Sequence, residues 1–233
     1  IIGSEFGVQP GWETPGVGQR GSYGEGLGHR EWSGDVQFEG AKDISAEAMA
    51  EPRESDGKAH LVTNQACFAC TIACGRISKI DDTHFSIENK PQHMHASGGL
   101  EYEAAWALGA ANGVNDLETL QYANQLCNEQ GLDPISFGAT VGAVMELYEM
   151  GVLTKEQIGV EAPFGSAEAL CEFVDMTAKG IGFGKEIGMG SKRLCAKFVH
   201  PVPSLAEGPR HLIQAGQVRH HGDLSLFSQN LRL

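Results

Sequence analysis

The chain has 233 residues, 41% hydrophobic and 20% charged, enough for one or two domains with real cores. Its 30 acidic and 17 basic side chains give a net charge of −13, which excludes the basic face that a nucleic-acid partner requires. No apolar run is long enough to cross a bilayer and no basic-then-apolar leader opens the chain, so the expectation is a cytoplasmic protein with no membrane partner.

Ten of the first 34 residues are glycine, with no helical or alternating apolar period. Glycine loses much entropy on ordering, so residues 1–58 are read as an irregular, Gly-rich segment with one short helix around "ISAEAMAE". "GEGLG" at Gly24–Gly28 follows no strand and opens no helix, which rules out a dinucleotide loop. The chain opens on Ile1 rather than Met, and "GSEF" at Gly3–Phe6 looks like a cloning scar; both read as a fragment or processed product.

"CFACTIAC" then places Cys67, Cys70 and Cys74 in a Cys-x2-Cys-x3-Cys run. Thiolates are soft, charged ligands, and short spacing lets one loop wrap a metal group. Both gaps are used around cubane iron–sulfur clusters, whereas zinc prefers paired Cys-x2-Cys knuckles. The spacing therefore suits a cluster first, zinc second, and a structural or redox role third. The apolar Phe68, Ala69, Ile72 and Ala73 suit a water-poor shell. Cys127, Cys171 and Cys195 sit in helical patterns, where a free cysteine is a small buried hydrophobe, so none is the expected fourth ligand. His84, His93 and His95 lie nearer but fit no zinc spacing.

From about residue 100 the pattern is helical. "LEYEAAWALGAANG" predicts one helix with Gly113 as its stop. "NDLETLQYANQLCNEQGLD" predicts a second, with Asn115 capping, Glu118 reaching back to it, and Gly131 in the left-handed terminating position. "ISFGATVGAVMELYEMG" predicts a third, whose Gly138, Ala139, Gly142 and Ala143 admit a close neighbouring backbone. Thr154 and Gln157 form a capping-box signature. "SAEALCEFVDMTAKG" and "GKEIGMGSKRLCAKF" supply two more helices, the second with a glycine-tolerant start. The order Gly190-Ser191-Lys192 is wrong for a phosphate loop, and Lys192 and Arg193 are read as solvated. Residues 201–233, including "RHHGD", form an irregular tail. The fold class is mainly α, with residues 59–200 as the cluster-ligand loop and helical domain.

"NQACFACTIACGR", "GLEYEAAWALGAANGVNDLETLQYANQLCNEQGLDPIS", "GATVGAVMELYEMG" and "GIGFGKEIGMGSKRLCAKF" together resemble the tungsten-containing aldehyde:ferredoxin oxidoreductases, from about Ala59 to Pro201. The resemblance implies a helical domain like that family's second, within a polypeptide more than twice as long. The Gly-rich opening and the tail do not match, as a truncated or shifted reading frame would produce. Cys67, Cys70 and Cys74 match three ligands of a 4Fe-4S cluster, the fourth belonging to a part outside this chain. Glu103 matches a glutamate beside the metal, suited to proton transfer or to orienting water. Asn128, Gly131, Leu132 and Asp133 match the pterin-binding motif, with Asn128 where aspartate is usual.

The cofactors implied are that cluster and a tungsten or molybdenum bis-pterin. The activity implied is oxidation of a small aldehyde to a carboxylic acid, with ferredoxin or a similar carrier taking the electrons and homo-oligomerisation left open. Two other readings stand beside it. One is a zinc-stapled helical interaction domain without catalysis, using His84 or His95; the other is an inactive truncated fragment.

Overall fold

The computed structural model describes residues 39–97 and 99–198. The expectations for "GSEF", "GEGLG" and the tail from residue 201 lie outside the described residues. The described part is mostly helical, as its sequence predicts.

Helix α1 (Ala46–Ala50) confirms the short helix in "ISAEAMAE"; Ser45 caps it by accepting from the Ala48 N–H at 3.2 Å. Ala41, Ile44 and Met49 are buried in the same core as the later helices, so the ordered packing starts well before residue 59.

A three-stranded antiparallel sheet follows, which the sequence did not announce: β1 (Leu61–Gln65), β2 (Gly75–Lys79) and β3 (His95–Ser97), in that spatial order. β1 and β2 form a hairpin in which Leu61 pairs with Ser78 and Gln65 with Gly75, with a register shift between Leu61 and Thr63. On β2 the buried residues are Arg76 and Ser78, the reverse of the apolar-inward alternation that marks a strand. Arg76 donates Nη1–H there to the Leu100 carbonyl at 3.0 Å.

The first predicted helix is not regular. α2 (Tyr102–Ala104) widens into a π-turn (Ala105–Gly109), tightens into a 3-10 turn (Ala110–Asn112) and stops at Gly113, whose φ of 71° is the left-handed cap expected. Packing decides the π-turn. Helix α4 (Pro134–Glu149) crosses it so closely that a Cβ on Gly138 would sit 2.3 Å from the Ala107 carbonyl oxygen. The buried Asn112 amide donates to the carbonyls of Ala107 (3.0 Å), Leu108 (3.3 Å) and Gly138 (3.1 Å), which supplies partners that the widened turn loses. The small residues of α4 do admit a neighbouring backbone.

Helix α3 (Leu117–Gln130) corrects the predicted cap. It begins one residue later than the capping box required, so Asp116, rather than Asn115, accepts from the Thr119 N–H at 2.7 Å. Glu118 is therefore not at the position that reaches back to the cap; it turns into the interior. Asn115 instead donates to Asp43 at 2.9 Å. Gly131, with φ 71°, ends the helix as expected.

α5 (Lys155–Ile158) carries the predicted Thr154–Gln157 box, Gln157 Oε1 accepting from the Thr154 N–H at 2.9 Å. α6 (Ala167–Lys179) packs along α3 through Leu170, Phe173 and Val174. The last predicted helix divides into α7 (Gly184–Ile187) and α8 (Ser191–Phe198), because Gly190 takes φ 84° between them. Gly184 is required where it stands, since a Cβ there would lie 2.2 Å from the Met176 carbonyl carbon. Lys192 and Arg193 are exposed, as predicted.

Candidate functional site

The cysteine run occupies the loop between β1 and β2. The Cys70 N–H donates to the Cys67 carbonyl at 3.0 Å, which closes a β-turn, and Ala69 at its third position has φ 58°. A positive φ there is the signature of a type II turn, normally a glycine position. Ala73, just before Cys74, has φ 55°. Two alanines thus hold left-handed conformations between and beside the three thiols, at a cost of about 1–2 kcal/mol each. Cys67 is exposed and Cys70 and Cys74 half-buried, all three as free thiols. Phe68 is fully exposed and Ile72 largely so. The apolar shell expected from these side chains is thus not supplied within the described residues.

The three thiols share one loop, and their donor chemistry fits three positions of an iron–sulfur group. They are not drawn into one ligating set: among the described residues no group of three or more His, Cys, Asp or Glu side chains is arranged to hold a metal.

The root of this hairpin is tied to helix α3 by buried charge. Glu118 Oε2 accepts from the Asp81 N–H at 3.0 Å, while Oε1 lies 3.2 Å from His60 Nδ1 and 3.5 Å from Arg53 Nη1. Arg53 also donates to the Lys79 carbonyl at 2.6 Å and pairs in both arms with Asp56. Asp81 accepts from Ser55 Oγ–H and from the Thr83 N–H and Oγ–H; these bonds hold its carboxyl well below the usual range. The sequence reading missed this knot because it gave Glu118 to the cap. The available signal was Asp116, an equally good capping residue one place later.

The remaining thiols behave as hydrophobes. Burial pushes Cys127 and Cys171 up to about 12, and raises Cys195, so all three stay protonated. His84 is committed elsewhere: Ser86 N–H donates to Nδ1 at 3.3 Å, leaving the proton on Nε2, which donates to Asp116 Oδ2 at 3.1 Å. Zinc at Nδ1 would displace the Ser86 N–H and keep the Nε2–H bond to Asp116, the carboxylate support that a ligating histidine ordinarily has. His93 stands edge-on to Tyr122, with Nδ1 3.5 Å from Glu129 Oε2.

Glu103 lies in α2, two residues ahead of the π-turn, and is exposed at the surface. The protein mass around it nonetheless raises its carboxyl above the ordinary value, the direction a proton-handling acid needs. Asn128, Gly131, Leu132 and Asp133 lie at the α3–α4 junction, where two of them already have backbone duties. Gly131 is the left-handed stop of α3, and Leu132 N–H returns to the Cys127 carbonyl at 2.8 Å. Asp133 caps α4 by accepting from the N–H groups of Ile135 (3.3 Å) and Ser136 (3.1 Å). The helix-stop and turn reading of this motif is thus real, and Asn128, Gly131 and Asp133 are also exposed.

The family model for aldehyde ferredoxin oxidoreductase, domains 2 and 3, matches residues 8–207. The chain belongs to this family. The match begins far ahead of Ala59, so the Gly-rich opening, expected to fall outside the resemblance, is largely within it; it lacks the motif blocks by which the rest is read. The tungsten-containing aldehyde ferredoxin oxidoreductase of Pyrococcus furiosus is 39% identical over 167 residues, 71% of this chain and 25% of that protein. The WOR-like subunit of the aliphatic sulfonate oxidoreductase of the same organism is 30% identical over 133 residues, 57% of this chain and 20% of that subunit. Among solved structures, the BamBC active-site complex of benzoyl coenzyme A reductase with 1,5-dienoyl-CoA gives a TM-score of 0.49 at 17% identity, over 64% of this chain and 21% of that chain. So slight a likeness adds nothing to the assignment. The chain spans 25% of the length of the aldehyde ferredoxin oxidoreductases it matches. Among its described residues no helix is long and apolar enough to cross a membrane.

Proposed function

We propose that this chain is the cluster-bearing helical part of a cytoplasmic oxidoreductase that converts a small aldehyde to a carboxylic acid and hands the electrons to ferredoxin. The observation that carries the reading is the presence of Cys67, Cys70 and Cys74 in one hairpin loop, in a chain 39% identical to a tungsten-containing aldehyde ferredoxin oxidoreductase. The lower identity to the sulfonate enzyme's subunit, 30%, favours an aldehyde over a sulfonate. Six free thiols suit a reducing compartment.

A tungsten- or molybdenum-pterin, when bound, supplies two-electron chemistry, and a 4Fe-4S cluster supplies one-electron transfer. This chain's residues hold, orient and move protons. Cys67, Cys70 and Cys74 would hold three positions of the cluster, on a loop shaped by the left-handed Ala69 and Ala73 and tied at the hairpin root by the Glu118 knot. Glu103, its carboxyl raised by burial, accepts and returns the proton of the attacking water. Asn128 offers an amide oxygen to a pterin amine, without the charge that an aspartate would bring. Gly131 leaves room beside it, and Leu132 and Asp133 complete that edge.

The test is anaerobic reconstitution of the chain with iron, sulfide and a small thiol as the remaining ligand, followed by electron paramagnetic resonance after reduction. The expected result is iron and acid-labile sulfide in equal amounts and a reduced-cluster signal. One tightly held zinc and no such signal would overturn the reading.

A further inference from the structure

The turn that carries Cys67 and Cys70 has a second consequence, independent of any metal. In a β-turn the first and fourth Cα atoms lie within about 7 Å, and a disulfide spans Cα separations of about 4.4–6.8 Å. Cys67 and Cys70 are those first and fourth residues, joined by the Cys70 N–H to Cys67 carbonyl bond at 3.0 Å. Their backbone is thus already folded to the span of a disulfide. Cys67 is open to solvent, the access that an attacking sulfur needs. Cys74 lies beyond a further left-handed residue, Ala73, and directly precedes the Gly75 that pairs with Gln65 at the mouth of the hairpin.

We infer that Cys67 and Cys70 are a redox modification site: in the metal-free chain they exchange with a small-molecule disulfide of the glutathione class to close a Cys67–Cys70 bond. This goes beyond the proposed function, because it concerns the chain before any cluster is present. In the first step Cys67 sulfur, as thiolate, attacks one sulfur of oxidised glutathione; a Cys67–glutathione bond forms and one glutathione thiolate leaves. In the second, Cys70 thiolate attacks the Cys67 sulfur, the ring closes and the second glutathione leaves. The two cysteine protons end on the two released glutathiones. The protein pair is oxidised by two electrons and the glutathione disulfide is reduced by two. Closure removes two of the three ligands, so the loop cannot take up iron until a dithiol reopens it.

The test incubates the full 233-residue chain with oxidised glutathione, traps free thiols by alkylation, and maps the peptides by mass spectrometry. The expected product is lighter than the reduced chain by two hydrogens, with Cys67 joined to Cys70 and Cys74 alkylated. Cys74→Ser closes the same bond, whereas Cys67→Ser and Cys70→Ser stop at a glutathione adduct or do not react. A bond from Cys74 to either partner, or a wild-type chain that keeps three alkylated thiols, overturns the inference, and wild-type mapping alone decides this. The oxidised chain is then offered iron and sulfide, with and without dithiothreitol: uptake is lost without it and restored with it. A chain that takes up iron but never closes the bond defeats this inference and leaves the cluster reading intact; one that closes the bond but never takes up iron does the reverse.

Discussion

Asp81 and Glu103 are carboxyls displaced in opposite directions, and the two displacements make opposite contributions to stability. Asp81 is held low by the hydroxyl of Ser55, the Thr83 N–H and the Thr83 hydroxyl. Its contribution is complete above the ordinary aspartate value and is lost as pH falls below about 4 toward its folded value. Glu103 is raised by burial, so the folded chain binds its proton more tightly than the unfolded chain does. Its ionisation therefore lowers stability as pH rises through the window above the ordinary glutamate value. Urea midpoints measured across pH should show both effects. Asp81→Asn removes the acid-side loss, and Glu103→Gln makes the chain more stable than wild type at neutral pH while the two converge at low pH. In the assembled enzyme Glu103→Gln lowers turnover by about 10²–10⁴-fold if the carboxyl moves the proton, while leaving iron content unchanged. A loss of iron would instead mark a structural role. At Ala69 the left-handed φ of 58° predicts that Ala69→Gly stabilises the chain by about 1 kcal/mol, read from the same urea curves.

At the level of the element, the crossing of α4 over the π-turn is the tightest constraint. Gly138→Ala puts a methyl 2.3 Å from a carbonyl oxygen fixed by its own backbone, so a cost of about 3 kcal/mol is expected in thermal or urea unfolding. Asn112→Ala leaves the carbonyls of Ala107, Leu108 and Gly138 without its amide and costs about 2–3 kcal/mol. Helices α3 to α6 were legible in the sequence because each carries its own punctuation: Asp, Thr or Ser before the first turn, and Gly131, Gly159 and Gly180 after the last in α3, α5 and α6. The π-turn was not, since it arises from contact with a helix about 30 residues away rather than from local preference. The sheet was hidden for a different reason. Strand β2 buries the polar Arg76 and Ser78 and leaves Ile77 between them half-buried, so its alternation reads backwards. The cysteine spacing identified the candidate ligands and their loop; it could not show that the loop joins two paired strands.

Over the whole molecule, Glu118 joins the sheet to the helices. Glu118→Gln removes the anion beside His60 and one of the two that face Arg53, which keeps Asp56, and a loss of about 1–2 kcal/mol is expected. Amide exchange in β1 and β2 should quicken more than in α4 or α6; a uniform change across all elements would show that the knot does not specifically hold the hairpin. The core, from Ile44 through Leu120 and Phe173 to Leu194, includes none of Cys67, Cys70 and Cys74. Small zinc domains fold only when their metal arrives, because the ion stands in for a core they lack. Here the core is built without the three candidate ligands. The chain should be isolable without iron as a cooperatively melting species whose Tm is indifferent to a chelator. Inorganic loading would then be a late act of maturation, performed on a finished scaffold by whatever delivers iron and sulfide to the tip of its hairpin.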